Sequence, residues 1–302
     1  MKNAYVEITN ICNLACEFCP GHDRKKRHMT VAEFREVAAK LDGKVENLFL
    51  HLMGEPLLHP ELEKIMQVAD SMNVKLKITT NGTLLRGRLP FLCSSKNLRT
   101  VCISLHSFEG NMCDDTKDRF EEYIINCLES AKVLAESGKF AVLRLWNLGN
   151  ENPINTMNEK ILNMLRQFFP PEREPWLKTH RGERVADHIF LEWGERFDWP
   201  DISEVEYTNS EDKAEKQSEY GEDFCHGLLR QIGILCDGTI VPCCLDRNGE
   251  IPLGNIYETT LDEALSSPRA KKMRDAMAHH RFIEPLCRSC GSMGKCKKQS
   301  LS

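Results

Sequence analysis

The 302-residue chain contains no run approaching the roughly 18–20 consecutive apolar residues that a membrane helix needs. Its N-terminus, MKNAYVEITNIC, lacks the apolar core of a secretion signal, so a cytoplasmic protein is expected. A strong charge of either sign is also missing. With a net charge of −5 and a pI near 6.1, nothing points to a nucleic-acid binder. No internal repeat is visible, which excludes solenoid arrays. Apolar residues are not scarce: at 41% hydrophobic and 28% charged the chain has the composition of a globular protein, not a disordered one. Its length suits one large domain or two ordinary ones, enough to bury a core without disulfide or metal staples.

What the chain has in quantity is cysteine, 14 in all. Cytoplasmic thiols stay reduced, so these are not a disulfide framework. Free cysteine acting as a small buried hydrophobe explains a few of them. It does not explain two tight groups, one near each end of the chain, because clustered thiolates point to metal or iron–sulfur ligation.

Over the first two thirds, strand-like and helix-like segments alternate. Strands are predicted at 4–9, 46–53, 74–80, 100–106, 140–146 and 187–193. Helices are predicted at 30–41, where Thr30 and Glu33 form a capping box, and at 60–72, about 116–137 and 155–168. Such a succession implies a parallel sheet with helical crossovers, and five or six units suit a partial (β/α)6 barrel of the TIM type. Strands such as FAVLRLW (140–146) alternate little, as expected when both faces are covered. Residues 172–188 read as an insertion before the last strand. The expected organisation is a core domain over 1–200, a polar linker or mobile loop over 201–219, and a cysteine-rich domain over 220–302. In that last part a β-hairpin is predicted around Asp237-Gly238 and a helix near 260–280.

Cys12, Cys16 and Cys19 form C-x3-C-x2-C directly after the first strand. Three thiolates on one loop can hold three corners of a [4Fe–4S] cube and leave the fourth iron open to another ligand. A zinc knuckle is the competing reading, and it would need a fourth Cys or His nearby. The motif, with Phe18 just before its third cysteine and its place after the first barrel strand, resembles the radical S-adenosylmethionine (SAM) family. The resemblance implies that the cluster's open iron chelates SAM, that one electron cleaves SAM to methionine and a 5′-deoxyadenosyl radical, and that this radical takes a hydrogen atom from substrate. Met53-Gly54-Glu55-Pro56 is similar to the family's glycine-rich GGEP turn, and Glu55 is a partner for the SAM ammonium. Thr79 and Asn81 end the third strand, Ser104 stands where the family commonly uses a serine against SAM, and Arg144 could meet the SAM carboxylate. His106 replaces an acidic residue usual in the family. Cys113, on the loop after the fourth strand, is a candidate hydrogen donor or thiyl source.

The tail cysteines resemble the SPASM and Twitch extensions of radical SAM enzymes. Cys225 and Cys243 frame a hairpin with Gly238 spaced as in those extensions, and Cys287 and Cys290 make a C-x2-C. The resemblance implies one auxiliary [4Fe–4S] cluster on Cys225, Cys243, Cys287 and Cys290, with Cys236 or Cys296 as alternates. Position 300, where a further SPASM cysteine would fall, is serine. Cys236 and Cys244, on β runs, read as hairpin core residues.

The function implied is a cytoplasmic radical SAM oxidoreductase whose auxiliary cluster accepts an electron or anchors substrate. The substrate is a peptide or protein residue, or a small polar metabolite. With the cluster motif starting at residue 12, no N-terminal peptide-recognition domain is expected. A flavodoxin- or ferredoxin-type reductant is implied, and the basic run at 23–28 could steer it. Neither nucleic acid nor membrane is expected as a partner. The alternative from another class is a non-catalytic zinc or iron–sulfur module for electron transfer or interaction.

Overall fold

The computed structural model describes residues 1–109, 111, 119–146, 157–171, 175–179, 182–194, 199–202, 225–279 and 281–290. Most of the expected linker over 201–219, Cys113 and Cys296 lie outside the described residues.

One open sheet of ten strands organises the molecule. Six strands run parallel and in chain order: β1 (Asn3–Val6), β2 (Asn47–Phe49), β3 (Lys75–Thr80), β4 (Leu98–Ser104), β5 (Phe140–Trp146) and β8 (Ile189–Gly194). The crossovers are α1 (Val31–Leu41), α2 (Leu62–Ala69), α3 (Leu85–Ser94), the short α4 (His106–Glu109) with the long α5 (Phe120–Glu136), and α6 (Asn158–Phe168). Sequential parallel strands joined by helices make the expected partial barrel, open because the two ends of the sheet do not pair. Among the described residues no helix is long and apolar enough to cross a membrane.

Local chemistry accounts for several of these elements. Thr30 caps α1 through a reciprocal capping box with Glu33. Gly138, with φ +79°, stops the chain after α5. The apolar stripe of α1 (Phe34, Val37, Ala38, Leu41) packs with Ala4, Val6, Leu48 and Leu76 in one continuous core.

Burial alternates along β1 and β3, whereas consecutive residues are buried in the middle of β4 (Val101, Cys102, Ile103) and of β5 (Ala141, Val142, Leu143), as the sequence suggests. Alternate residues such as Val6, Leu48, Ile78, Ile103 and Leu143 are fully buried in the core. The residues between them form neighbouring ladders across the other face: Tyr5, Phe49 and Lys77; Thr79, Cys102 and Val142; Ser104, Arg144 and Glu192. That face is the barrel interior, and it mixes Lys77, Thr79, Ser104, Arg144 and Glu192 with the aromatic and apolar Tyr5, Phe49, Cys102 and Val142.

Two stretches differ from expectation. The insertion before the last parallel strand carries β6 (Leu177–Lys178) and β7 (Gly182–Ala186), which extend the sheet antiparallel beyond β8. The helix expected near 260–280 is two, α7 (Leu261–Ser266) and α8 (Pro268–Ala278), because Ser267-Pro268 ends one and caps the next. The predicted hairpin is present as β9 (Gln231–Ile234) and β10 (Ile240–Val241). β9 pairs parallel with β1, so the cysteine-rich part continues the barrel sheet at its first strand. A last turn, α9 (Pro285–Arg288), carries Cys287.

Candidate functional site

The C-x3-C-x2-C loop is closed at its base. Thr9 and His28 form an isolated antiparallel bridge, and the Asn10 side chain donates to Lys25 O and accepts from Arg27 N, at 2.9 and 2.8 Å. His22 adds a ring contact to Asn10 O at 2.8 Å. Residues 12–27 are therefore held as one excursion from the end of β1, with Cys12 and Cys19 exposed and Cys16 half-buried.

Two asparagine amides reach the thiols. Asn111 Nδ2 donates to Cys16 Sγ at 3.0 Å, and Asn111 Oδ1 accepts from Ala15 N at 2.9 Å. Asn81 Nδ2 donates to Cys12 Sγ at 3.9 Å and to Asn13 Oδ1 at 3.0 Å, while Leu14 N donates to Cys12 Sγ at 3.5 Å. Burial raises the Cys12 and Cys16 thiols, Cys16 to about 11, and neighbouring cysteines of the loop add to the rise. Such thiols become thiolates when a cationic centre compensates them. Asn111 carried no signal in the sequence, since it lies 95 residues from Cys16.

The Met53–Pro56 turn leans on this loop. Glu55 N donates to Ile11 O at 2.9 Å. Gly54 has φ +75°, and a Cβ there would stand 2.5 Å from Thr9 O, so only glycine fits. Glu55 is buried, and its carboxylate accepts from Leu57 N, Thr80 Oγ1 and Asn81 N at 3.0, 2.8 and 2.8 Å. It ties the turn to the end of β3 and starts the 3-10 turn at Pro56. Burial pushes it up to about 7 despite these bonds. Three protein donors already use the carboxylate that the sequence offers to the SAM ammonium.

Arg144 leads the barrel interior, with its Nε 3.4 Å from Glu192. Cys102 on β4 adjoins it, with Thr79 and Lys77 of β3 beside Cys102. His51 accepts from Thr79 N at 3.3 Å through Nδ1, and burial, with Arg144 beside it, lowers it to about 3. It is a neutral imidazole with its proton on Nε2, a lumen residue the sequence reading missed. Ser104 shares this face, and its carbonyl lies 3.4 Å from Tyr123 Oη. Phe18 packs edge-on against Trp146 at 4.3 Å, and Trp146 stacks on His106 at 4.1 Å. The aromatic residue of the cysteine loop thus docks the loop on the end of β5.

On the extension, Cys243 lies near Cys244, Cys225 and Cys287, and Cys287 lies near Cys225 and Cys290. Burial pushes Cys243 and Cys287 far up, and neighbouring thiols push them further. Cys244, read from the sequence as a core residue, stands beside Cys225 and Cys290 and is pushed up to about 12, mainly by burial. Cys236 is elsewhere: it is buried, its N donates to Glu7 Oε1 at 3.2 Å, and its Sγ lies 3.8 Å from Arg24 Nη1. The basic run after the cysteine loop is partly spent internally, Arg24 on Glu7 and Arg27 on Glu33, leaving Lys25 and Lys26 exposed.

Residues 6–152 match the radical SAM superfamily, and residues 225–291 match an iron–sulfur cluster-binding domain, SPASM. Residues 6–152 are a radical SAM domain. The SPASM span includes Cys225, Cys243, Cys287 and Cys290 and stops before Cys296. Among the relatives of this chain is the antilisterial bacteriocin subtilosin biosynthesis protein AlbA of Bacillus subtilis, 25% identical over 99% of this chain and 68% of its own length. A GTP 3′,8-cyclase of Microcystis aeruginosa is 23% identical over 92% of this chain and 91% of its own length. The fold is shared with native anSMEcpe with bound AdoMet and Kp18Cys peptide, at TM-score 0.61 and 14% identity, covering 100% of this chain and 92% of that one. The cofactors are accordingly SAM with its [4Fe–4S] cluster and auxiliary iron–sulfur in the extension. The residues fit them: burial raises the Cys16, Cys243 and Cys287 thiols, so a cationic centre would be needed to hold these as thiolates, and Cys12 and Cys16 receive N–H donors of the kind that surround cluster sulfurs.

Proposed function

We propose that the chain is a radical SAM oxidoreductase with one auxiliary [4Fe–4S] cluster. Cys12, Cys16 and Cys19 hold the first cluster, and Cys225, Cys243, Cys287 and Cys290 hold the second. Together, SAM and its cluster supply a 5′-deoxyadenosyl radical that takes a hydrogen atom from substrate. The protein's own part is placement. Asn81 and Asn111 fix the thiols, Phe18 anchors the loop on Trp146, and Gly54 and Pro56 shape the adjoining turn. Thr79, Ser104 and Arg144 line the interior where SAM and substrate are oriented. Removal of a hydrogen atom leaves a carbon radical, and two-electron oxidation then needs an acceptor for the next electron; the extension supplies it, or anchors substrate.

The observation that carries this reading is that a three-thiol loop follows β1 while Cys225 and Cys243 meet beside Gly227, just ahead of β9, the strand that pairs with β1. A substrate in the interior can then be served by both. A peptide residue as substrate is supported by the likeness to the bacteriocin biosynthesis protein, and a small polar metabolite by the likeness to the GTP cyclase. Exposed Lys25 and Lys26 suit an acidic flavodoxin- or ferredoxin-type reductant.

Deuterium tracing tests this function. Reduced, iron-loaded enzyme is given SAM and deuterated candidate substrates, peptides and metabolites alike. Deuterium in 5′-deoxyadenosine, with substrate oxidised by two electrons, supports the reading. A colourless protein carrying stoichiometric zinc would instead favour the non-catalytic module.

A further inference from the structure

Glu7 follows β1 and is completely buried. Its two carboxylate oxygens accept from Arg24 Nη1 and Nη2, both at 2.7 Å. The same carboxylate accepts from Met53 N at 3.1 Å and from Cys236 N at 3.2 Å. Arg24 is as fully used: its Nε donates to Arg247 O at 2.7 Å. Beside it, Asp23 N donates to Asn248 Oδ1, and Asn248 Nδ2 donates to Asp23 Oδ2, both at 3.1 Å.

These contacts join three separate pieces of chain. Arg24 and Asp23 belong to the cysteine loop, a few residues beyond Cys19. Met53 directly precedes the Gly54-Glu55 turn. Cys236, Arg247 and Asn248 belong to the extension and bracket Cys243 and Cys244 in sequence. A single carboxylate therefore addresses the SAM-cluster loop, the turn beside it and the auxiliary hairpin.

A buried ion pair is a poor device for stability alone, because desolvating both charges offsets most of their attraction. Its bidentate geometry is a good device for fixing direction, because two parallel N–H···O bonds allow little rotation. We propose that the Glu7–Arg24 pair is a positioning device that sets the auxiliary cysteine group relative to the SAM-cluster loop. The proposal rests on the reading that both thiol groups carry clusters.

The test uses iron-loaded enzyme bearing Arg24→Gln, Arg24→Lys or Arg27→Gln. Arg27 shares the basic run, but its ion pair is to Glu33 on α1, making it the control. Three quantities are read: iron per chain, backbone hydrogen exchange, and the magnetic interaction between the two reduced clusters by electron paramagnetic resonance. Arg24→Gln is expected to keep about eight irons. Exchange at the amides of Cys236 and Met53 should rise about tenfold, with β3–β5 unchanged, and the intercluster interaction should change. Arg24→Lys should recover part of both effects, and Arg27→Gln should match wild type. Unchanged exchange and an unchanged intercluster interaction in Arg24→Gln would overturn the proposal, as would the same effects from Arg27→Gln. If Arg24→Gln does not fold, the double variant Glu7→Met with Arg24→Met replaces the pair by apolar side chains; a wild-type intercluster interaction there would equally overturn it. Failure of wild type to bind about eight irons would overturn the two-cluster reading instead.

Discussion

The side chain of Asn111 donates to the sulfur of Cys16 at 3.0 Å while its own carbonyl accepts from the backbone of Ala15. A residue on the loop beyond α4 thus both fixes the cysteine loop and places positive dipole against a sulfur proposed to hold the SAM cluster. Hydrogen bonds to ligand sulfurs raise the potential of an iron–sulfur cluster. Asn111→Asp keeps an acceptor for Ala15 N but exchanges the donor for a negative charge. The SAM cluster of this variant should titrate at a more negative potential, and SAM cleavage with a weak protein reductant should slow severalfold. Redox titration followed by electron paramagnetic resonance checks this, and an unchanged potential would count against the role.

Gly54→Ala should be costly. Beyond the strain of φ +75°, the added Cβ would meet Thr9 O at 2.5 Å and Asn10 C at 2.9 Å, both backbone. Relief requires moving the segment that leads into Cys12. A loss of at least about 2 kcal/mol is expected in denaturant unfolding. A variant as stable as wild type would show that the turn and the loop are not packed this way.

Glu55 makes stability depend on pH. Burial raises its carboxyl from the ordinary 4.5 to about 7, so the folded chain holds the proton more tightly than the unfolded one. The stability it contributes is complete below about pH 4.5 and is lost as pH rises through about 7, roughly 3 kcal/mol in all. In the iron-free chain the urea midpoint should fall between pH 5 and 8, and Glu55→Gln should flatten that slope. Parallel profiles for the two proteins would contradict the assignment.

The tail cysteines should separate by iron content. Cys236 is engaged with Glu7 and Arg24, away from the group at Cys225, Cys243, Cys287 and Cys290. Cys236→Ala should retain about eight irons, whereas Cys225→Ala or Cys287→Ala should fall toward four. Loss of iron from Cys236→Ala would return it to the ligand set.

The sequence was most legible where the cause is local. The Thr30–Glu33 capping box, the stop at Gly138 and the hairpin at Asp237-Gly238 each depend on a few neighbouring residues, and each is present. The radical SAM resemblance was readable from the spacing of Cys12, Cys16 and Cys19 because three ligands on one loop must be close in sequence. Contacts between distant segments were not readable. Asn111 looks like any loop asparagine until α4 brings it to Cys16. Arg24 reads as part of a solvated basic run, yet it reaches a carboxylate buried by the pairing of β1 with β9. The interior of β3–β5 was hidden for a similar reason: FAVLRLW places Val142, Arg144 and Trp146 on the interior face, and the meaning of the last two depends on Glu192, His106 and Phe18 arriving from elsewhere.

The central claim is that the thiols of the first loop carry the cluster that cleaves SAM. The most direct measurement is the yield of 5′-deoxyadenosine from SAM by reduced, iron-loaded protein, compared with a variant in which Cys12, Cys16 and Cys19 are all alanine. Wild type should form it and the variant should form none, while still holding about four irons in its tail. Equal yields from the two proteins, or none from a wild type holding about eight irons, would contradict it.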